Sequence, residues 1–284
     1  MNSVTDDLLF KLVFGDERNK RALIHLLSSV VGFKITDVDI RKTEMTPEFI
    51  GGKESRLDVL ATDDEGRLYN IELQKQNDIH MRERSLFYWS EVFYKQLDKG
   101  ESYDLLCKTI CINILKFKLI NDDKFWHTYH MWEDETHELL TDLEEIHFLE
   151  LPKMKEFSKK NPITWWLEYL KNPHSKVVKQ IGEFEPVIKE AVKMFDVITS
   201  DKKTQELLRM REKGERDFNS AMKSSRLEGR AEGLEKGIVK GIEKGIEKEK
   251  KETALSMLTD GLPVSTISKY TGLSPSEIQS LKSR

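Results

Sequence analysis

Two carboxylates and an amide stand out in the stretch RLDVLATDDEGRLYNIELQKQ, Arg56 to Gln76. Asp58 and Glu72 fall inside apolar runs, and Gln74 follows two residues after Glu72. The runs read as two strands joined by a turn on DDEG, residues 63–66. Alternate residues of a strand share a face, so Glu72 and Gln74 point the same way. If residue 62 pairs with 68, then 58 pairs with 72, and the two carboxylates stand about 5 Å apart at Cβ. Charges that close require a proton on one of them or a cation between them. Carboxylate oxygens, a backbone carbonyl such as that of Leu73, and water are donors that suit Mg²⁺ or Mn²⁺. The hairpin is therefore a candidate divalent-cation site for phosphodiester hydrolysis. Spacing alone leaves a second reading open, in which Asp58 and Glu72 are solvent-facing positions of a half-buried hairpin.

The elements that would position this hairpin are readable around it. DDLLFKLVFGDERNKRALIHLLSSVVG carries apolar residues at helical spacing with a break at Gly15, and ITDVDIRKTEM reads as a strand. After the hairpin, MRERSLFYWSEVFYKQLDKG reads as a helix stopped by Gly100, and TICINILKF as a buried strand. Helix, three strands, helix, strand is the order of an α/β core. A helix beside the hairpin can aim Arg84 or Gln96 at a phosphate, Arg being suited to bidentate contact; Lys75 and Gln76 are weaker candidates. The helix aromatics Phe87, Tyr88, Trp89, Phe93 and Tyr94 suit core packing first and base stacking second. WHTYHMWED and EEIHFLELPK add two strands, and NPITWWLEYL opens a helical stretch with Pro162 in its first turn. His127 and His130, three apart on a strand, face opposite sides and make a poor zinc pair.

Taken together, DLLFKLVFGDERNK, RLDVLATDDEGRLYNIELQ, RERSLFYWSEVFYKQLDKGESY and IHFLELPK, in that order, resemble the Rpn family of recombination-promoting nucleases. That family is a branch of the PD-(D/E)xK nuclease superfamily often labelled transposases. The resemblance covers most of the chain. It implies a restriction-endonuclease-like α/β core, a mixed central sheet flanked by helices, followed by a helical C-terminal extension. It also implies magnesium-dependent DNA cleavage linked to recombination or mobile DNA, with Asp58 and Glu72 as metal ligands and Gln74 in place of the superfamily lysine. Asp7 falls where an acidic residue of the first helix completes the metal shell, and Asp6 competes with it. Leu57 stands where the motif has proline. A neutral amide at position 74 is no general base near pH 7, so it can only position water or phosphate, and the water would depend on the metal for its acidity.

Composition sets outer bounds. The chain has 284 residues, 38% hydrophobic and 34% charged, with net charge −4. No run reaches the roughly 18 apolar residues of a membrane span, and the N-terminus lacks the pattern of a secretory signal. Cys107 and Cys111, about 13 Å apart on an extended strand, are too far apart for a disulfide; a reduced, cytoplasmic protein is expected. Acidic residues outnumber basic ones in residues 1–200, so DNA contact must be a local patch. Two alternatives stay open: a non-catalytic DNA-binding or assembly protein that keeps the fold, and a metal-binding hydrolase with another substrate such as RNA.

Four zones are expected: a nuclease core at 1–160, a helical subdomain at 161–200, a glycine-ladder helix or linker at 201–252, and a small helix-turn-helix-like tail at 253–284. The ladder sets Gly229, Gly233, Gly237, Gly241 and Gly245 four apart, with Leu234, Ile238, Ile242 and Ile246 beside them. A period of four drifts about 40° per repeat round a helix, and each glycine costs roughly 1 kcal/mol against alanine. Self-association into a homo-oligomer, a spacer that folds on contact, and a frayed solvated helix all remain open. In the tail, Ser274, Pro275 and Glu277 form a capping-box pattern between two short helices, which suits either a DNA groove or a protein partner.

Overall fold

A computed structural model of the protein describes residues 4–41 and 59–282. The chain divides into two compact units, Met1–Gly214 and Glu215–Arg284.

The first unit opens with α1 (Asp7–Phe14) and α2 (Lys20–Val31). Gly15 separates them as expected: a Cβ there would meet the Lys11 carbonyl oxygen at 2.5 Å. Among the described residues, six strands form one mixed sheet: β1 (Val38–Arg41), β2 (Val59–Asp63), β3 (Leu68–Gln74), β4 (Thr109–Leu115), β5 (Trp126–Tyr129) and β6 (Glu144–Glu150). Their order is β1-β2-β3-β4-β6-β5. β3, β4 and β6 run parallel at the centre, and the other pairings are antiparallel. The parallel step from β3 to β4 passes through α3 (Met81–Tyr94), as a parallel pair requires a crossover.

The period of two divides the sheet into two unlike faces. β3 sends Tyr69, Ile71 and Leu73 into the large core, where Ile110, Ile112 and Ile114 of β4 join them. α1, α2, α4 (Pro162–Lys171), α5 (Lys176–Phe184) and α6 (Pro186–Ser200) contribute to that same core. Phe14 of α1 meets Trp166 and Tyr169 of α4 edge-on, at 5.8 and 6.4 Å between centroids. The helical stretch 161–200 packs as a layer on this core. The opposite face holds Asn70, Glu72 and Gln74 of β3 with Cys111 and Asn113 of β4, and α3 lies over it. Met81, Ser85, Trp89 and Val92 form the buried stripe of α3. α3 stops at Tyr94 rather than near Gly100, because the next residues turn to meet β4. Cys107 lies ahead of β4 and Cys111 is buried within it; both are free thiols.

The long helix α7 runs Lys202–Thr259. Leu208, near its start, belongs to the first unit's core. In the second unit a small core of Ala254, Ile267, Leu273 and Ile278 joins the end of α7 to α8 (Val264–Thr271) and α9 (Pro275–Lys282). The expected capping box forms: Glu277 N–H donates to Ser274 Oγ at 3.3 Å, and Ser274 N–H to Glu277 Oε2 at 2.7 Å. The ladder glycines are helical, and a Cβ at any of them would meet nothing within 4 Å. No helix among the described residues is long and apolar enough to cross a membrane.

Candidate metal centre

Asp63 builds the turn that sets the hairpin register. Its Oδ1 accepts the backbone N–H groups of Glu65 (3.0 Å) and Arg67 (2.9 Å). Its Oδ2 accepts Arg67 Nε (2.6 Å) and the Tyr69 hydroxyl (2.8 Å). Gly66 takes φ 82°, a left-handed conformation open to glycine, and its N–H donates to the Asp63 carbonyl at 3.0 Å. Thr62 then pairs with Leu68, and Val59 with Ile71. This is the expected register. Asp58, bonded to Val59, lies outside the described residues.

Glu72 follows Ile71 on β3 and is 2% exposed. Burial raises its pKa; the charge of Arg84 and the amides of Asn70 and Gln74 act in the opposite sense. Asn70 Nδ2 donates to Oε1 at 3.4 Å, and Gln74 Nε2 to Oε2 at 3.3 Å. The two carboxylate oxygens thus meet two amides, with the charge of Arg84 acting on them as well. A desolvated carboxylate in that setting fits a hard divalent cation. Leu73 buries its side chain in the opposite core, and its carbonyl lies in the backbone between Glu72 and Gln74.

The other candidates separate by position. Arg84, one residue before the buried Ser85, lies with its guanidinium over the Tyr88 ring at 5.1 Å. Gln96 is placed elsewhere. Its Nε2 donates to the Cys107 carbonyl (3.0 Å) and Thr109 Oγ1 (2.9 Å), and its Oε1 accepts Cys107 N–H (2.8 Å). Thr109 pairs with Leu68, four residues before Glu72 on β3, roughly 13 Å along the strand. Gln96 therefore staples the start of β4 and does not meet the carboxylate. Asp6 caps α1 by accepting Leu8 N–H at 3.1 Å and pairs with Lys75 at 2.8 Å. Asp7 pairs with Lys75 at 3.1 Å and with Arg211. Lys75, directly after Gln74, thus links α1 to the end of β3. His127 pairs with Asp122, whereas His130 meets the Glu144 carbonyl, so the two do not converge.

A reading for carboxylates passes over Asn70, Asn113 and Ser85. Asn113 pairs with Glu72 in register. It accepts Ser85 Oγ at 3.0 Å and donates to the His147 carbonyl at 3.1 Å. The signal that finds Asn70 is its phase: it stands two residues before Glu72, as Gln74 stands two after.

A mixed sheet flanked by helices, with a buried acidic residue and an amide on one face of the strand that leaves the hairpin, is the restriction-endonuclease-like arrangement. The chain belongs to the PD-(D/E)XK nuclease family transposases, whose family model matches residues 4–225. The Rpn-like resemblance of its motifs agrees with that membership. No curated protein and no solved structure matches the chain significantly.

Proposed function

We propose that the protein is a metal-dependent DNA endonuclease acting in recombination or mobile-DNA transactions. The observation that carries this reading is Glu72, buried on β3 with Gln74 on its second oxygen, in a chain of a nuclease family. Asp58, Glu72 and the Leu73 carbonyl would hold Mg²⁺, with Mn²⁺ as a substitute; Asp7 joins them if it leaves its pairs with Lys75 and Arg211. When bound, the cation offsets charge on the phosphate and makes the attacking water more acidic. Gln74 orients that water or the phosphate through its amide. Arg84 faces the charge of the phosphate. Water oxygen attacks phosphorus, the bond to the leaving sugar oxygen breaks, the attacking water's proton passes to solvent rather than to Gln74, and the leaving oxygen takes a proton from solvent. The second unit is the proposed site of homo-oligomer formation or of a further DNA contact.

The test is nicking of supercoiled plasmid with Mg²⁺, Mn²⁺ or EDTA. Wild type should nick with either metal and stop with EDTA. Asp58→Ala and Glu72→Ala should each abolish nicking at unchanged circular dichroism. Cleavage by either variant at the wild-type rate overturns the assignment. A second reading, a DNA-binding or assembly protein without catalysis, draws on the acidic balance of residues 1–200; DNA binding with no nicking in any metal would establish it.

A further inference from the structure

Asn70 is fully buried, yet its side-chain oxygen has no hydrogen-bond partner among the described residues. Its Nδ2 reaches Glu72 Oε1 at 3.4 Å and the weak acceptor Cys111 Sγ at 3.7 Å. An unpaired buried carbonyl is costly, so this oxygen adds nothing to the stability of the fold. Packing alone therefore does not account for an asparagine here. Its neighbour in the same strip is different: Asn113 has its oxygen and its nitrogen engaged, by Ser85 and by the His147 carbonyl. Asn113 suits the fold, whereas the one oxygen that Asn70 reaches is that of the carboxylate, at 3.4 Å.

We propose that Asn70 is a positioning residue of the metal site, holding Glu72 Oε1 so that the carboxylate keeps one orientation on the sheet face. This rests on the metal-site reading above. Glu72 lies between two amides, each two residues away on the same face of β3. Gln74 stands at the end of the strand and is partly exposed, free to turn toward water or phosphate. Asn70, on the other side of Glu72 along β3, is fully buried. One amide is thus the fixed arm and the other the movable one. Partners of metal-bound carboxylates, though not ligands themselves, typically set affinity by about 10- to 100-fold.

The test is Mn²⁺ binding to the full chain, with the free ion followed by electron paramagnetic resonance, beside the thermal midpoint of the metal-free protein. Asn70→Leu should weaken Mn²⁺ binding by at least about 10-fold in a protein that still melts cooperatively without metal, at a lower midpoint because Glu72 Oε1 loses its donor. A merely structural asparagine would lower the midpoint and leave the Mn²⁺ affinity of the folded variant near wild type. Asn70→Ser, too short to reach Oε1, should weaken binding similarly and guards against overpacking by leucine. Binding within twofold of wild type in a folded variant overturns the proposal. So does failure of both variants to fold, which would assign Asn70 to the fold. If wild type binds no Mn²⁺ and matches Glu72→Gln, the metal-site reading itself fails and this proposal goes with it. Loss confined to the Asn70 variants and Glu72→Gln supports both.

Discussion

Gln74 Nε2 lies 3.3 Å from Glu72 Oε2, so the amide proposed to take the place of the superfamily lysine contacts the buried carboxylate. A lysine at 74 would bring a full charge to the same oxygen. It would relieve the desolvated carboxylate in the metal-free protein and then compete with the cation for it. We predict that Gln74→Lys raises the thermal midpoint without metal at pH 7. The Mg²⁺ needed for half-maximal nicking should rise about tenfold, which corresponds to roughly 1.4 kcal/mol, while cleavage persists at saturating Mg²⁺. A magnesium titration of plasmid nicking beside a melting curve checks both. An unchanged magnesium requirement would show that the amide–carboxylate contact does not bear on the metal.

Lys75 separates two roles at the start of α1. Asp6 caps the helix and pairs with Lys75, whereas Asp7 pairs with Lys75 and Arg211. Asp6→Ala should cost about 1–2 kcal/mol through loss of the cap, measured by urea unfolding, and leave Mg²⁺ affinity near wild type. Asp7→Asn should cost about 1–3 kcal/mol, between the values for exposed and buried pairs. It should weaken Mg²⁺ binding less than Glu72→Gln does. A loss equal to that of Glu72→Gln would place Asp7 among the principal ligands.

The site's strand was legible because NIELQ carries its own period: three polar residues alternate with two apolar ones, and the turn at DDEG sets the register. Helix termini and layers were less so. α3 ends at Tyr94 because Gln96 bonds Cys107, eleven residues onward, a contact that no local propensity records. The amphipathic pattern of 162–200 says that one face is buried. It does not say that Trp166 packs on Phe14. The unpaired oxygen of Asn70 is a fact of tertiary structure alone. Each ladder glycine lowers helix propensity, and α7 is nonetheless continuous through the ladder, with no glycine there in a left-handed conformation.

Glu145 offers a check of the fold by pH. Burial pushes its carboxyl up, but hydrogen bonds from His147 (2.5 Å) and the Lys108 pair (2.7 Å) outweigh this and hold it down at about 2. A carboxyl depressed in the fold adds stability above its unfolded value of 4.5, and that stability is lost as pH falls toward 2. Glu145→Gln should therefore lower stability by about 1–3 kcal/mol at pH 7 and converge on wild type by about pH 2. Urea unfolding of both proteins across that range decides it. A constant difference at every pH would assign the effect to packing.

The last prediction concerns where the first unit can end. The composition shift near residue 201 invites a cut there, but α7 continues to serve the core beyond it. Thr204, Leu208 and Arg211 are buried, and Arg211 pairs with Asp7 beside the end of β3. A chain ending at Lys202 loses the Leu208 packing and the Arg211 pair together. Leucine loss from a core costs about 2–5 kcal/mol, a large share of the 5–15 kcal/mol typical of a whole domain. A chain ending at Gly214, where the first unit ends, keeps all three. We predict that residues 1–214 unfold cooperatively and bind Mg²⁺ like the full chain. Residues 1–202 should melt at lower temperature or aggregate. Light scattering and a salt series of DNA binding on residues 1–214 then isolate the contribution of Glu215–Arg284. A lower mass or weaker DNA binding assigns assembly or DNA contact to that unit. Equal stability of the two shorter chains would show instead that Leu208 and Arg211 add nothing to the core.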